Sequence, residues 1–228
     1  MKLSDSQYYT LRRWHSLSGV VPVGAFLLEH LATNAIALDG PAAYNRGVAA
    51  IGGLPFLPAI EVLLIGVPIL FHMLVGALIA TSGEASVFRG RYPRNWMYLL
   101  QRVSGVFLAF FIIYHVWGTR LSPAAALHRS DLYTFMRGHL RERGVLPIYL
   151  LGTIAACFHL GNGLFGFAVH WGFAATKEAQ RRAARIGFAV FVILAALGVD
   201  ALLSFTDHPL RLFGHPPDTF ALHAGVER

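Results

Sequence analysis

An all-α integral membrane fold, a bundle of five transmembrane helices, is what the amino-acid sequence predicts. Of 228 residues, 55% are hydrophobic and only 14% are charged, and the mean hydropathy is +0.53; a soluble domain of this size is not that apolar. Five apolar runs reach the roughly 20 residues that a helix needs to cross a hydrocarbon core of about 30 Å. The net charge of +7 comes mostly from arginines between those runs, where anionic membrane lipids or an acidic partner surface can meet it. In such a chain a basic balance does not point to a nucleic-acid partner. The single cysteine, Cys157, lies inside an apolar run, and no Cys-x-x-Cys-His motif is present. That excludes a disulfide framework and covalent haem attachment.

In chain order, residues 1–13 form a polar flank ending in Arg12-Arg13, with no small-residue cleavage site after it, so the first run is expected to be retained. The first span covers residues 14–37 and is interrupted by Pro22, Glu29, His30 and Asn34. A loop over 38–55 carries the turn signals Asp39-Gly40-Pro41 and Gly52-Gly53. The second span, 56–81, includes Glu61, Pro68 and His72. A basic loop over 82–96 leads to a third span ending near 121, and a long Arg-rich loop over 122–145 has room for a short interfacial helix. The fourth span, 146–173, opens with Pro147 in its first turn, where a missing N–H does no harm. Lys177, Arg181, Arg182 and Arg185 precede a fifth span over 186–205. The domain expectation is therefore a five-helix unit over 1–205 followed by a polar tail over 206–228, expected to be loosely ordered.

Cationic residues cluster at Arg12, Arg13, Arg89, Arg91, Arg94 and 177–185 on one side of the membrane. The opposite side holds Arg46, the group within 120–143, Arg211 and Arg228. The bias predicts a cytoplasmic N-terminus.

Four of the runs carry an interior histidine, at His30, His72, His115 and His159. An imidazole among hydrocarbon is costly without a partner. Alternate spans run in opposite directions, so depth follows from position at about 1.5 Å per residue. On that rise His30 and His115 lie roughly 7 Å outward of the span centres, His159 falls near the centre, and His72 about 4 Å inward. Equal depth pairs His30 with His115 and His72 with His159. Zinc normally takes three or four protein ligands, and neither level offers a third His or Cys. Two histidines are what a six-coordinate haem iron takes, and closing both axial positions suits electron transfer. Gly76, Gly105, Gly161, Gly163 and Gly166 leave room for a flat ring beside the backbone. The expected architecture is thus a bundle enclosing two haems. Two readings stand beside it: a haem-free proton-coupled transporter using the same His and Glu residues, and a structural anchor without haem.

Several stretches resemble a known family, the single-chain di-haem cytochrome b anchors of succinate dehydrogenases and quinol:fumarate reductases. They are the run from Arg12 through Trp14, His15, Ser16 and Gly19 to Gly24; Glu29-His30-Leu31; Ile69-Leu70-Phe71-His72; Gln101-Arg102-Val103-Ser104-Gly105 with Tyr114-His115-Val116-Trp117; and Phe158-His159-Leu160-Gly161-Asn162-Gly163-Leu164. The likeness covers about residues 8–205. It implies His30, His72, His115 and His159 as axial ligands of two b haems. It also implies flavoprotein and iron–sulfur partner subunits on the cytoplasmic face, menaquinone as electron acceptor, and a place in the cell inner (cytoplasmic) membrane. The fumarate reductase direction remains an alternative. Nothing here resembles a flavin fingerprint or a cysteine cluster, so the dicarboxylate chemistry belongs to other chains.

Quinone reduction consumes protons, which makes Glu61, a turn inside the outer end of span two, the first candidate for proton delivery, and Glu29, beside His30, the second. Haem propionates are anionic and favour donors near a membrane face. Arg13, His15, Ser16, Tyr98 and His170, at the inner ends of spans one, three and four, are the candidates to bind them.

Overall fold

The computed structural model describes residues 4–82 and 93–213, which are helical and contain no strand. Arg89, Arg91 and the tail beyond residue 213 lie outside the described residues. The helices are α1 (Asp5–Val20), α2 (Pro22–Ala35), α3 (Pro41–Gly52), α4 (Leu57–Ile60), α5 (Val67–Ser82), α6 (Pro93–Val116), α7 (Pro123–Leu127), α8 (Leu132–Arg141), α9 (Val145–His170) and α10 (Lys177–Ser204). They assemble into five stretches long and apolar enough to cross a membrane: Asp5–Asp39, Leu57–Thr81, Arg94–Leu127, Val145–His170 and Lys177–Ser204.

Local chemistry explains each boundary. α1 starts earlier than the apolar pattern indicates because Ser4 caps it. The Gln7 N–H donates to Ser4 Oγ at 3.3 Å, and the Ser4 N–H donates to Gln7 Oε1 at 2.9 Å. Span one breaks after Val20, and Pro22 restarts it at the first position of α2, where no N–H is needed. The stretch expected to be a loop over 38–55 is largely helix α3. Gly40, at φ 95°, makes the turn into it, and its buried Tyr44 packs on Phe205. α10 begins at Lys177, well before the apolar run. Thr176 Oγ1 accepts the Ala179 N–H at 3.1 Å, and Lys, Glu, Gln, Arg and Ala are strong helix formers.

The long connection between spans three and four holds α7 and an amphipathic α8 that lies across the end of the bundle. α8 buries Tyr133, Met136 and Leu140 against Tyr44, Tyr149 and Phe205. Arg137 and Arg141 on its exposed face pair with Asp207 at 2.6 and 2.7 Å. The segment after span five is correspondingly tied down as far as residue 213, and the rest of the tail lies outside the described residues. The Phe213 N–H donates at 2.7 Å to Oδ2 of Asp200, a fully buried carboxylate.

Spans four and five form the tightest pair. Gly161 and Gly187 let their backbones touch: a Cβ on Gly161 would lie 2.5 Å from the Gly187 oxygen. Spans two and three each widen into a π turn at the end opposite the N-terminus, over Glu61–Gly66 and Trp117–Leu121. The sequence gives no sign of either.

Candidate functional site

The site consists of two levels of facing imidazoles in the bundle core. His72 and His159 meet with ring centroids 6.1 Å apart at an interplanar angle of 87°. His30 and His115 meet at 5.7 Å and 80°. These are the pairs that equal depth selects. The levels are farther apart than the sequence arithmetic gives. His72 packs on Gly19, eleven residues before His30, and His159 packs on Gly105, ten residues before His115. The two intervals convert to about 15–17 Å of helix rise. In span one the difference comes from where the helix starts: the centre of Asp5–Asp39 is near residue 22, which puts His30 about 12 Å from it rather than roughly 7 Å.

The level nearer the N-terminus is built from two antiparallel helix pairs with the same device. On α1 and α5, His72 rests on Gly19 while His15 rests on Gly76. A Cβ on Gly76 would sit 3.0 Å from His15 Cε1. On α6 and α9, His159 rests on Gly105, where a Cβ would come within 2.9 Å of its Cε1, while the Gln101 amide covers Gly163. In each case side chain and glycine are four residues apart on their own helix, so both point to one face. The bare glycine is what admits the ring.

Two serines, each preceding one of these glycines, fix the ring tautomers. The Ser18 hydroxyl donates to the His15 carbonyl at 2.9 Å, and the Ser104 hydroxyl donates to the Gln101 carbonyl at 3.1 Å. With its proton so committed, each hydroxyl oxygen can only accept from the neighbouring ring. His72 Nδ1 lies 3.2 Å from Ser18 Oγ and 3.1 Å from the His15 carbonyl, and His159 Nδ1 lies 3.0 Å from Ser104 Oγ. Both Nδ1 atoms therefore carry the proton, and both Nε2 atoms keep a free lone pair. Gln101 extends this support, donating to the His159 carbonyl at 3.0 Å while accepting from Asn162 at 2.8 Å.

The level farther from the N-terminus is held differently. His115 stacks on Phe111 and meets the ring of Tyr149 at 5.4 Å. Its Nδ1 is buried without a partner. Asn34 donates to the His30 carbonyl at 2.8 Å. Tyr149 OH in turn reaches His139 Nε2 of α8 at 3.2 Å.

Among the remaining candidates, Arg13, Ser16 and His170 come together between the N-terminal end of α1 and the end of α9. The Arg13 guanidinium lies 4.1 Å over the Trp171 ring. Trp171 Nε1 donates to Ser16 Oγ at 3.3 Å, and Tyr9 OH donates to the His170 carbonyl at 3.2 Å. His15 stacks on His72 at 4.0 Å. Tyr98 lies apart, under the Arg102 guanidinium. Glu29 is exposed and accepts from Thr33 Oγ1 at 2.6 Å, so it is not drawn into the ring pair. Glu61 is ion-paired with Arg120 at 2.8 Å, a partner the sequence did not reveal. Ser18, Ser104, Gln101 and Asn162 were also missed as supports. The signal that finds them is the four-residue spacing of His15 to Gly19, His72 to Gly76, Gln101 to Gly105 and His159 to Gly163.

Whether these residues fit haem can be tested on the structure itself. A metal between two imidazoles sets their centroids roughly 6 Å apart, two bonds of about 2 Å plus the reach from each nitrogen to its ring centre; both pairs have that spacing. No group of three or more His, Cys, Asp or Glu gathers among the described residues, so the donor set is two neutral imidazoles per level. Buried polar atoms without a partner are rare in folded chains. Among the described residues they are Arg13 Nε, His15 Nδ1, His115 Nδ1, His170 Nδ1 and Asp200 Oδ1. Four of those five lie on residues singled out for haem binding, and three, Arg13, His15 and His170, are donors suited to carboxylates. The residues fit the group.

Five apolar helices around two levels of paired imidazoles define a multi-pass membrane protein of the cytochrome b kind of architecture. Residues 88–198 match the succinate dehydrogenase/fumarate reductase transmembrane subunit family. The chain is also 36% identical over 203 residues to the succinate dehydrogenase cytochrome b558 subunit of Bacillus subtilis (strain 168), covering 89% of this chain and 100% of that one. This protein belongs to the succinate dehydrogenase/fumarate reductase transmembrane subunit family.

Proposed function

We propose that this chain anchors a succinate dehydrogenase complex in the cytoplasmic membrane, with its N-terminus inside, and carries electrons from an iron–sulfur subunit through two b haems to menaquinone. The observation that carries this reading is the pair of imidazole levels, facing at 6.1 and 5.7 Å. His72 and His159 would hold the inner haem, and His30 and His115 the outer one. Haem b closed by two imidazoles accepts and donates single electrons and leaves no open position for oxygen.

The chain's own residues do the rest. Ser18 and Ser104 hold the inner rings with Nε2 presented inward. Arg13, His15 and His170 offer their unpartnered donors to the inner propionates. Glu61, held by Arg120, stands at the outer end of span two to supply protons to quinone. Levels separated along the membrane normal let electron flow couple to the membrane potential, at about 2.3 kcal/mol per charge per 100 mV.

The test is a pyridine haemochrome determination and a redox titration on the purified complex. Two b haems per chain with two separate potentials are expected. His72→Ala or His159→Ala should remove only one component, and His30→Ala or His115→Ala only the other. A colourless complex, or a fully coloured quadruple variant, overturns the reading.

A further inference from the structure

A groove of about 510 Å³ opens between spans three, four and five on the N-terminal side of the bundle. Arg94, Lys177 and Arg181 line the end nearer the helix termini, and Phe158, Phe188 and Phe191 line it farther along the helices. On α10, Lys177, Arg181, Phe188 and Phe191 fall at intervals of 4, 7 and 3 residues, one stripe of a 3.6-residue helix. The stripe passes from cation to aromatic over fourteen residues, about 21 Å of rise. That is close to half of a hydrocarbon core of about 30 Å plus a headgroup layer. Arg94 is steadied at the rim, donating to Gln180 Oε1 at 2.7 Å, while Lys177 and Arg181 are exposed.

We infer that this groove is a binding site for one anionic phospholipid, its phosphate between Arg94, Lys177 and Arg181 and an acyl chain on the phenylalanine floor. Charge selects the occupant. A basic pocket between transmembrane helices on the cytoplasmic side attracts acidic headgroups. A neutral quinone gains nothing from three cations at one end, and a zwitterionic headgroup brings an ammonium toward them. The inference rests on the cytoplasmic N-terminus proposed above but not on occupancy of the imidazole levels, although Asn162 in the groove wall bonds the Gln101 that supports His159.

The test uses the detergent-solubilised complex, stripped of lipid and titrated with short-chain phosphatidylglycerol or with phosphatidylcholine of equal chain length. Adducts are counted by native mass spectrometry. One phosphatidylglycerol per chain should bind at a concentration at least about tenfold lower than phosphatidylcholine. The double variant Lys177→Gln, Arg181→Gln should abolish that selectivity. Neither Arg182 nor Arg185 lines the groove, and they point about 140° and 80° around α10 from Lys177 by the 3.6-residue turn. The equally charge-depleted Arg182→Gln, Arg185→Gln complex should therefore keep the selectivity. Equal binding of the two lipids by the wild-type complex overturns the inference, and that comparison decides it even where a variant fails to assemble. Equal loss in both double variants overturns it too. Displacement of phosphatidylglycerol by a menaquinone analogue would make the groove a quinone site instead.

Discussion

Arg120 Nη2 donates to both carboxylate oxygens of Glu61, at 2.9 and 2.8 Å, and each residue sits on a π turn of its own helix. Widened turns of this kind concentrate at functional positions because they re-aim side chains at some cost in helix geometry. With side chains 44% and 35% exposed, the pair contributes at most about 1 kcal/mol to stability. Glu61→Gln is therefore expected to leave thermal stability and both haem spectra nearly unchanged while quinone reduction falls about 100-fold, the scale of a lost proton donor. Full quinone reductase activity in that variant would remove Glu61 from the site.

Ser18 and Ser104 present a second prediction. Each orients one ring of the His72–His159 pair, and loss of such a supporting hydrogen bond typically weakens metal binding about 10- to 100-fold. Ser104→Ala should lower inner-haem retention or shift its midpoint, with the outer component unmoved. A titration in which both components stay in place would show that the serine merely fills space.

Gly105 offers a steric test. Any Cβ there meets His159 at 2.9 Å, a distance real Cβ contacts do not show. Gly105→Val is expected to push that ring aside and remove the inner haem's absorption while the chain still assembles with its partners. Gly138 on α8, whose Cβ would meet nothing within 4 Å, is the control. Gly138→Ala should behave as wild type, and a matching loss there would disprove the steric reading.

Much of this arrangement was legible in residue types. The apolar runs gave the five spans, and the four interior histidines gave two levels, because a costly imidazole in hydrocarbon has few explanations. Helix α3 was not legible, since its ends carry the same Gly and Pro signals that mark a loop. The Ser18 and Ser104 contacts were hidden because a serine in a span is chemically unremarkable until the ring beside it is known. The pairing of Glu61 with Arg120 joins residues 59 apart and depends on two π turns, which no local pattern announces. The depth of His30 was underestimated for a simpler reason: span one starts at the Ser4 cap rather than where hydropathy rises.

Asp207 gives a pH prediction. Hydrogen bonding from Arg141, with further help from Arg137, holds its carboxyl below the usual 3.8. Asp131 is lowered likewise by Thr134 and Asn45. A carboxyl depressed on folding contributes stability that is complete above its unfolded value and fades as pH drops through the folded one. Pepsin cleavage within 128–143, relative to sites elsewhere in the chain, should thus increase as pH falls from about 5 to about 2. Asp207→Asn should flatten that increase. Equal cleavage of the wild-type chain at the two pH values would contradict this.

The contact between α1 and α5 has one more implication. His15 sits in the notch at Gly76 and His72 in the notch at Gly19, with the two helices running in opposite directions. Sliding either rod by one turn, about 5.4 Å, unseats both teeth at once. The height of the inner imidazole in the bilayer is therefore locked to the seat of a residue on another helix, and the two can only be misplaced together.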